Sequence, residues 1–227
     1  MDFVAEAAIY RLMFSLLQIW EDDAVRSPSA QMAMDEALLL LSSHPVLRTY
    51  RWAAPAVTFG YAQRHADVGS LAGSLPAVRR WTGGGTVFHG SDLTLTLAVP
   101  APHPLCSECP AMIYREIHQA LLIVLREDAP AVRLADVEDC RPGPACFDSP
   151  ALHDILLGGK KICGGALRRG KSGILYQGSL HGEVPAPALA RALTKSSAPF
   201  VPGPPLELAS SRLDLEKYAT EGWNRMR

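Results

Sequence analysis

Leu93-Thr94-Leu95-Thr96-Leu97-Ala98-Val99 alternates leucine or valine with smaller side chains at a period of two, the pattern of a strand with one face in a core. Eleven residues on, Pro110 to Glu127 changes period: Met112, Ile113, Ile117, Ala120, Leu121, Val124 and Leu125 fall on one helical face, with proline at the start. Upstream, Val46 to Trp52, Val57 to Tyr61 and Val78 to Trp81 read as strands. The glycine turn Thr82-Gly83-Gly84-Gly85 then leads into a fourth, Thr86 to His89. Further back, Phe14 to Trp20 reads as a strand, followed by an acidic turn Glu21-Asp22-Asp23 and a loop Ser27-Pro28-Ser29. A helix is expected from about Ala30 to Ser42, with Asp35 and Glu36 in its first turns near the positive dipole end. Downstream, Ala151 to Leu157, Lys161 to Leu167 and Gly173 to Leu180 read as strands. Leu189 to Leu193 and Leu213 to Trp223 read as helices, separated by a proline-rich loop Pro199 to Pro205. Runs of strands with a few helices predict an α+β fold: a mixed or antiparallel sheet with packed helices, not a doubly wound parallel one. The expected organisation is an N-terminal extension over 1–12 and one domain over 13–227, with no linker long enough to divide it.

Composition bounds the function. The 227 residues are 48% hydrophobic and 20% charged, enough to bury a sizeable core. A net charge of -1 gives no global field toward nucleic acid or an anionic membrane, so neither is expected as a partner. Asp2, Glu6 and Arg11 interrupt the apolar N-terminus, which reads as neither a signal peptide nor a membrane span. Five irregularly spaced cysteines argue for a reducing, cytoplasmic setting. Cys106-Ser107-Glu108-Cys109 has the C-x-x-C form, but no second pair lies at zinc-site spacing, and no metal is expected.

Three segments carry chemistry. In Pro144-Ala145-Cys146-Phe147-Asp148-Ser149-Pro150 the cysteine is either a small buried apolar residue or a nucleophile. Gly83-Gly84-Gly85, with Arg79 and Arg80 before it and His89 after it, is either a turn needing positive φ or a loop whose backbone approaches a ligand. Gly158-Gly159-Lys160-Lys161-Ile162-Cys163-Gly164-Gly165-Ala166 places a lysine among apolar and glycine neighbours. There it is either solvated on a turn or partly desolvated in a site.

The order of these segments after Met32-Ala33-Met34-Asp35-Glu36-Ala37-Leu38 resembles the lipoate–protein ligase and octanoyltransferase superfamily, over about residues 14–195. Cys146-Phe147-Asp148-Ser149-Pro150, Gly159-Lys160-Lys161-Ile162 and Asp92-Leu93-Thr94 are most similar to its cysteine-dependent octanoyltransferase branch. The resemblance implies the catalytic fold shared with biotin–protein ligases, as a single catalytic domain over 13–227 without an accessory C-terminal domain. It also implies transfer of an eight-carbon acyl group from acyl carrier protein, through a cysteine thioester, to a lysine of lipoyl carrier domains. Cys146 and Lys161 are then the catalytic pair, and Arg79, Arg80, Gly83, Gly84, Gly85, His89, Gly164, Gly165 and Ala166 the acyl-binding set. No cofactor is implied for the transferase. An ATP-dependent lipoate ligase, using ATP and Mg, is the alternative, and a non-catalytic module binding lipoyl domains or small acids is a second. The implied partners are acyl carrier protein and the lipoyl domains of dehydrogenase complexes or the glycine-cleavage carrier, with Arg79, Arg80, Arg168, Arg169 and Lys171 as docking residues. The chain departs from the family pattern at Gly90, where Asp is usual, at Gln177-Gly178 in place of His-Gly, and at Gln31 in place of Asn.

Overall fold

A computed structural model describes residues 12–140 and 149–227. Its larger sheet contains β1 (Leu17–Asp22), β2 (Val46–Arg51), β6 (Leu93–Pro100), β7 (Arg133–Leu134), β8 (Ile155–Leu157), β9 (Lys160–Gly170), β10 (Gly173–Leu180) and β11 (Ser197–Pro199). Their order is β11-β1-β2-β6-β10-β9-β8-β7. β1 runs parallel to both β11 and β2, and every later pairing is antiparallel, so the sheet is mixed as expected. A smaller sheet, β4-β3-β5, contains β3 (Ala56–Phe59), β4 (Ala77–Arg79) and β5 (Val87–His89).

The period-two pattern of β6 sorts the helices. Leu93, Leu95, Leu97 and Val99 join Ile113, Ile117 and Leu121 of α3 (Pro110–Asp128) and Leu189 of α4 (Ala186–Leu193) in one core. Each leucine buried this way contributes about 1.5–3 kcal/mol. On the opposite face, Ala98 and Leu175 pack with Met34 and Leu38 of α1 (Pro28–Leu41) and Leu206 of α5 (Pro204–Leu213).

Several elements differ from the sequence reading, each for a local reason. The α1 helix starts at Pro28 because Ser27 caps it, its hydroxyl accepting from Ala30 N–H, and proline suits the first turn. Asp35 and Glu36 are therefore mid-helix and buried, held by cationic partners rather than by the helix dipole. Asp22 lies inside β1, not in a turn, because Arg48 and Arg26 both reach its carboxylate. Ala151–Leu157 is a strand only from Ile155, since the Asp154 carboxylate accepts from Ala151 N–H and closes a turn. The Leu213 to Trp223 span is broken into a π turn at Asp214–Tyr218 and the short α6 (Glu221–Asn224). The proline-rich loop is shorter than its prolines suggest, with β11 ending at Pro199 and α5 beginning at Pro204. The helix α2 (His65–Ala72), which packs on β4, had no strong periodic signal.

Candidate active site

The two sheets face each other across a cleft with about 430 Å³ of atom-free space, part of it open to solvent. Register builds its floor. One row of paired residues crosses the large sheet as Tyr50, Thr94, Ser179 and Gly164, and the next as Arg48, Thr96, Gln177 and Ala166. The smaller sheet and the loop after β4 supply Thr58, Arg80, Gly84, Val87 and His89, and α1 supplies Met32.

Polar side chains on the floor tie the layers together. Asp35 accepts from Arg48 at 2.6 Å and from the Gln177 amide at 2.6 Å, while Gln177 accepts from the Thr82 hydroxyl at 2.7 Å. One glutamine thus joins α1, β10 and the start of the glycine loop. Arg48 also donates to Asp22 and to Gln31, which brings Gln31 of α1 into the same network. The charge is buried but fully paired, the condition under which burial is tolerated.

His89 lies at the end of the cleft toward Trp52, stacked on its ring at 4.0 Å. Arg80 donates to the Thr58 hydroxyl at 2.8 Å, so that hydroxyl donates its own proton to His89 Nε2 at 2.7 Å. His89 Nδ1–H then donates to Asp92 at 2.8 Å, which fixes the tautomer. Burial pushes His89 below its ordinary pKa against the pull of Asp92, leaving it neutral at pH 7. Asp92 also accepts from Ser179 and from Gly90 N–H.

The glycine loop is shaped by close approach. Arg80 gathers the carbonyls of Gly83 and Gly85 at 2.9 and 2.8 Å. Gly84 has φ +82° and lies against Ala166, so a Cβ there would be strained and crowded.

Lys161 lies at the edge of the cleft, against its lining residue Gly164. A register shift pairs Ile155 with Cys163 and Leu156 with Lys161, leaving Ile162 as an extra residue that re-aims the lysine. Its side chain crosses Gly164, where an added Cβ would collide with Lys161 Cε and lie 2.5 Å from Nζ. Nζ is 2.7 Å from Asp154 Oδ2, with both side chains almost wholly buried. The other Asp154 oxygen accepts from the Tyr114 hydroxyl, which in turn accepts from Gly165 N–H at 2.9 Å. Burial, and then Asp154, push the Tyr114 phenol well above its ordinary pKa, so it remains a neutral donor. Tyr114 stacks on His118, which meets Tyr176 at 2.8 Å. Burial lowers His118 to about 4.

Of the residues the sequence singled out, Arg80, Gly84, His89, Gly164, Gly165 and Ala166 line the cleft. Gly83 and Gly85 stand behind it as carbonyl ligands of Arg80, and Lys161 crosses Gly164 at its edge. Cys146 lies outside the described residues. Arg79 must be corrected. It is fully buried, and its guanidinium donates to the carbonyls of Tyr61, Gln63, Trp223 and Asn224, so it is a structural clasp that cannot dock a partner. Arg80 is also buried and is likewise no surface docking residue, whereas Arg169 and Lys171 are exposed and Arg168 half-buried. Cys106 and Cys109 are free thiols, and among the described residues no group of three or more His, Cys, Asp or Glu could hold a metal ion. Sequence reading missed Asp154, Tyr114, Thr58 and Trp52. The one available signal was His153-Asp154 interrupting an otherwise apolar run.

The sequence model described as the lipoyl protein ligase A/B catalytic domain matches residues 27–204. The chain belongs to that family. Among curated relatives, the octanoyltransferase LipM of Macrococcus caseolyticus is 36% identical over 174 residues, covering 68% of this chain and 62% of the relative. That of Moorella thermoacetica is 33% identical over 175 residues, covering 72% and 63%. The chain therefore spans a little over three fifths of the length of these relatives. Two solved structures share the fold. Lipoate-protein ligase A bound with ATP has TM-score 0.71 at 21% identity, covering 92% of this chain and 98% of the other. The archaeal bi-partite lipoate protein ligase of Thermoplasma acidophilum, solved in a study with its E2 lipoyl domain, has TM-score 0.62 at 20% identity, covering 93% and 97%. The α+β expectation thus holds at the level of the whole catalytic fold.

Proposed function

We propose that this chain is an octanoyltransferase that moves an eight-carbon acyl group from acyl carrier protein, through a Cys146 thioester, to a lysine of lipoyl domains. The observation that carries the reading is Lys161, a buried ammonium aimed by a bulge across a glycine at the edge of a cleft between two sheets. A buried cation at such a position lowers a nearby thiol's pKa and hydrogen-bonds an acyl carbonyl. In the first step the Cys146 thiolate adds to the donor thioester. A new S–C bond forms, the donor C–S bond breaks, and the carrier thiolate leaves and takes up a proton. In the second, the neutral acceptor amine adds to the acyl carbon, its N–C bond forms as the Cys146 S–C bond breaks, Cys146 leaves as thiolate and the amine's extra proton passes to solvent. Burial of the acyl chain contributes about 0.8 kcal/mol per methylene. The relatives named octanoyltransferase support this chemistry over activation of a free acid.

The acceptors are lipoyl domains of dehydrogenase complexes or the glycine-cleavage carrier. Arg168, Arg169 and Lys171 form the remaining basic docking rim. Intact mass spectrometry after incubation with octanoyl-acyl carrier protein tests the reading. One octanoyl adduct is expected on the wild type and none on Cys146→Ser. Labelling that needs ATP, Mg and free lipoate, with no response to the carrier thioester, overturns it in favour of a ligase.

A further inference from the structure

Lys161 does not act alone. Its ammonium and the Asp154 carboxylate form a buried pair at 2.7 Å. Asp154 is held from two further sides, by Ala151 N–H at 2.6 Å and by the Tyr114 hydroxyl. That hydroxyl is fixed by Gly165 N–H, part of the cleft wall itself. The carboxylate is thus tied to the backbone of the cleft through α3, while Gly164 clears the path for the lysine stem. A lysine held only by packing would lose its charge on burial, and an adjacent carboxylate prevents that.

We propose that Asp154, braced by Tyr114, is a positioning residue that holds the Lys161 ammonium charged and aimed at the acyl carbonyl. This inference rests on the acyl-transfer reading and deepens it. The role is electrostatic and geometric at once: the ion pair sets the charge, and the Ala151 and Tyr114 contacts set the direction. Around the pair stand Tyr114 and His118 of α3, Tyr176 of β10, Cys163 of β9 and His153 before Asp154. Of these, His118 is neutral above about pH 4, and the raised tyrosines are neutral through the working range. Asp154 is therefore the anion available to hold the lysine among these described groups.

The test is the pH profile of single-turnover acylation by octanoyl-acyl carrier protein, followed by mass. Asp154→Asn is expected to slow acylation about a hundredfold. It should also move the alkaline limb down by about one pH unit or more, because the buried lysine loses its anion. Asp154→Glu keeps the charge but displaces it by a methylene. It should slow acylation while leaving the limb at the wild-type pH. Lys161→Arg should remove the limb altogether. An Asp154→Asn variant with an unmoved limb overturns the proposal, as does full acylation in Asp154→Glu; if Asp154→Asn does not fold, the Asp154→Glu result decides. A wild type that never takes an acyl adduct overturns the acyl-transfer reading instead, whereas a Lys161→Ala variant acylated at full rate overturns the proposal for Asp154 and leaves acyl transfer standing.

Discussion

Gly164 in the cleft and Gly60 behind the glycine loop do different work, and the difference is measurable. At Gly164 an added methyl meets the end of Lys161, which must shift within its buried pair with Asp154. Gly164→Ala should therefore slow acylation about a hundredfold, since the ammonium loses its aim. At Gly60 the same methyl meets the carbonyl oxygen of Gly84, which is backbone and cannot swing. Gly60→Ala should destabilise by about 1–3 kcal/mol, read from equilibrium unfolding. His118 gives a residue-scale pH dependence. Burial holds it neutral in the fold down to about 4, whereas in the unfolded chain it protonates near 6.5. Its contribution is complete above about pH 6.5 and is lost as pH falls toward about 4, a total of about 3 kcal/mol. Unfolding free energies of the wild type and His118→Gln should converge across that window, and parallel curves would refute the assignment.

At the scale of elements, α1 is fixed to the sheet by charge as much as by its apolar face. Asp35 binds Arg48 of β2 and Gln177 of β10, and Tyr50 reaches the same carboxylate at 3.3 Å. Asp35→Ala leaves Arg48 with one carboxylate fewer in a site closed to water. The expected loss is about 3–5 kcal/mol in denaturant unfolding. Gln177 also holds Thr82 at the root of the glycine loop, so the same substitution should weaken acyl binding beyond what stability alone accounts for. The sequence made α1, β6, α3 and β10 legible because each carries enough apolar side chains at one regular period to fill the cores it faces, and that periodicity survives in the order of residues. It missed α2, and it misdrew the α5 region. Proline at the start of α5 reads as a loop signal, although its fixed φ suits a first helical turn.

Across the whole molecule, the C-terminal segment closes the back of the smaller sheet. Trp223 donates its indole N–H to the Arg79 carbonyl, and Arg79 returns hydrogen bonds to the carbonyls of Trp223 and Asn224. Truncation after Leu213 would strip this buried guanidinium of two acceptors. The expected cost is at least about 3 kcal/mol, seen as a lowered thermal midpoint, with the cleft loosened because Arg79 and Arg80 are adjacent. No helix among the described residues is long and apolar enough to cross a membrane.

The sequence by itself determined the α+β class, the strands and helices with clean periods, and the glycine and lysine segments that meet in the cleft. Those features are local: hydrophobic period, glycine's freedom at positive φ and the helix-starting role of proline act within a few residues. What each charged side chain does was decided only by the tertiary structure. Arg79 and Arg80 are neighbours of one residue type, yet one is spent on backbone carbonyls and the other faces the cleft. Asp154 looked like one position in a short strand until folding set it beside Lys161 and Tyr114. Desolvation and pairing depend on groups far apart in the chain, and no local pattern encodes them.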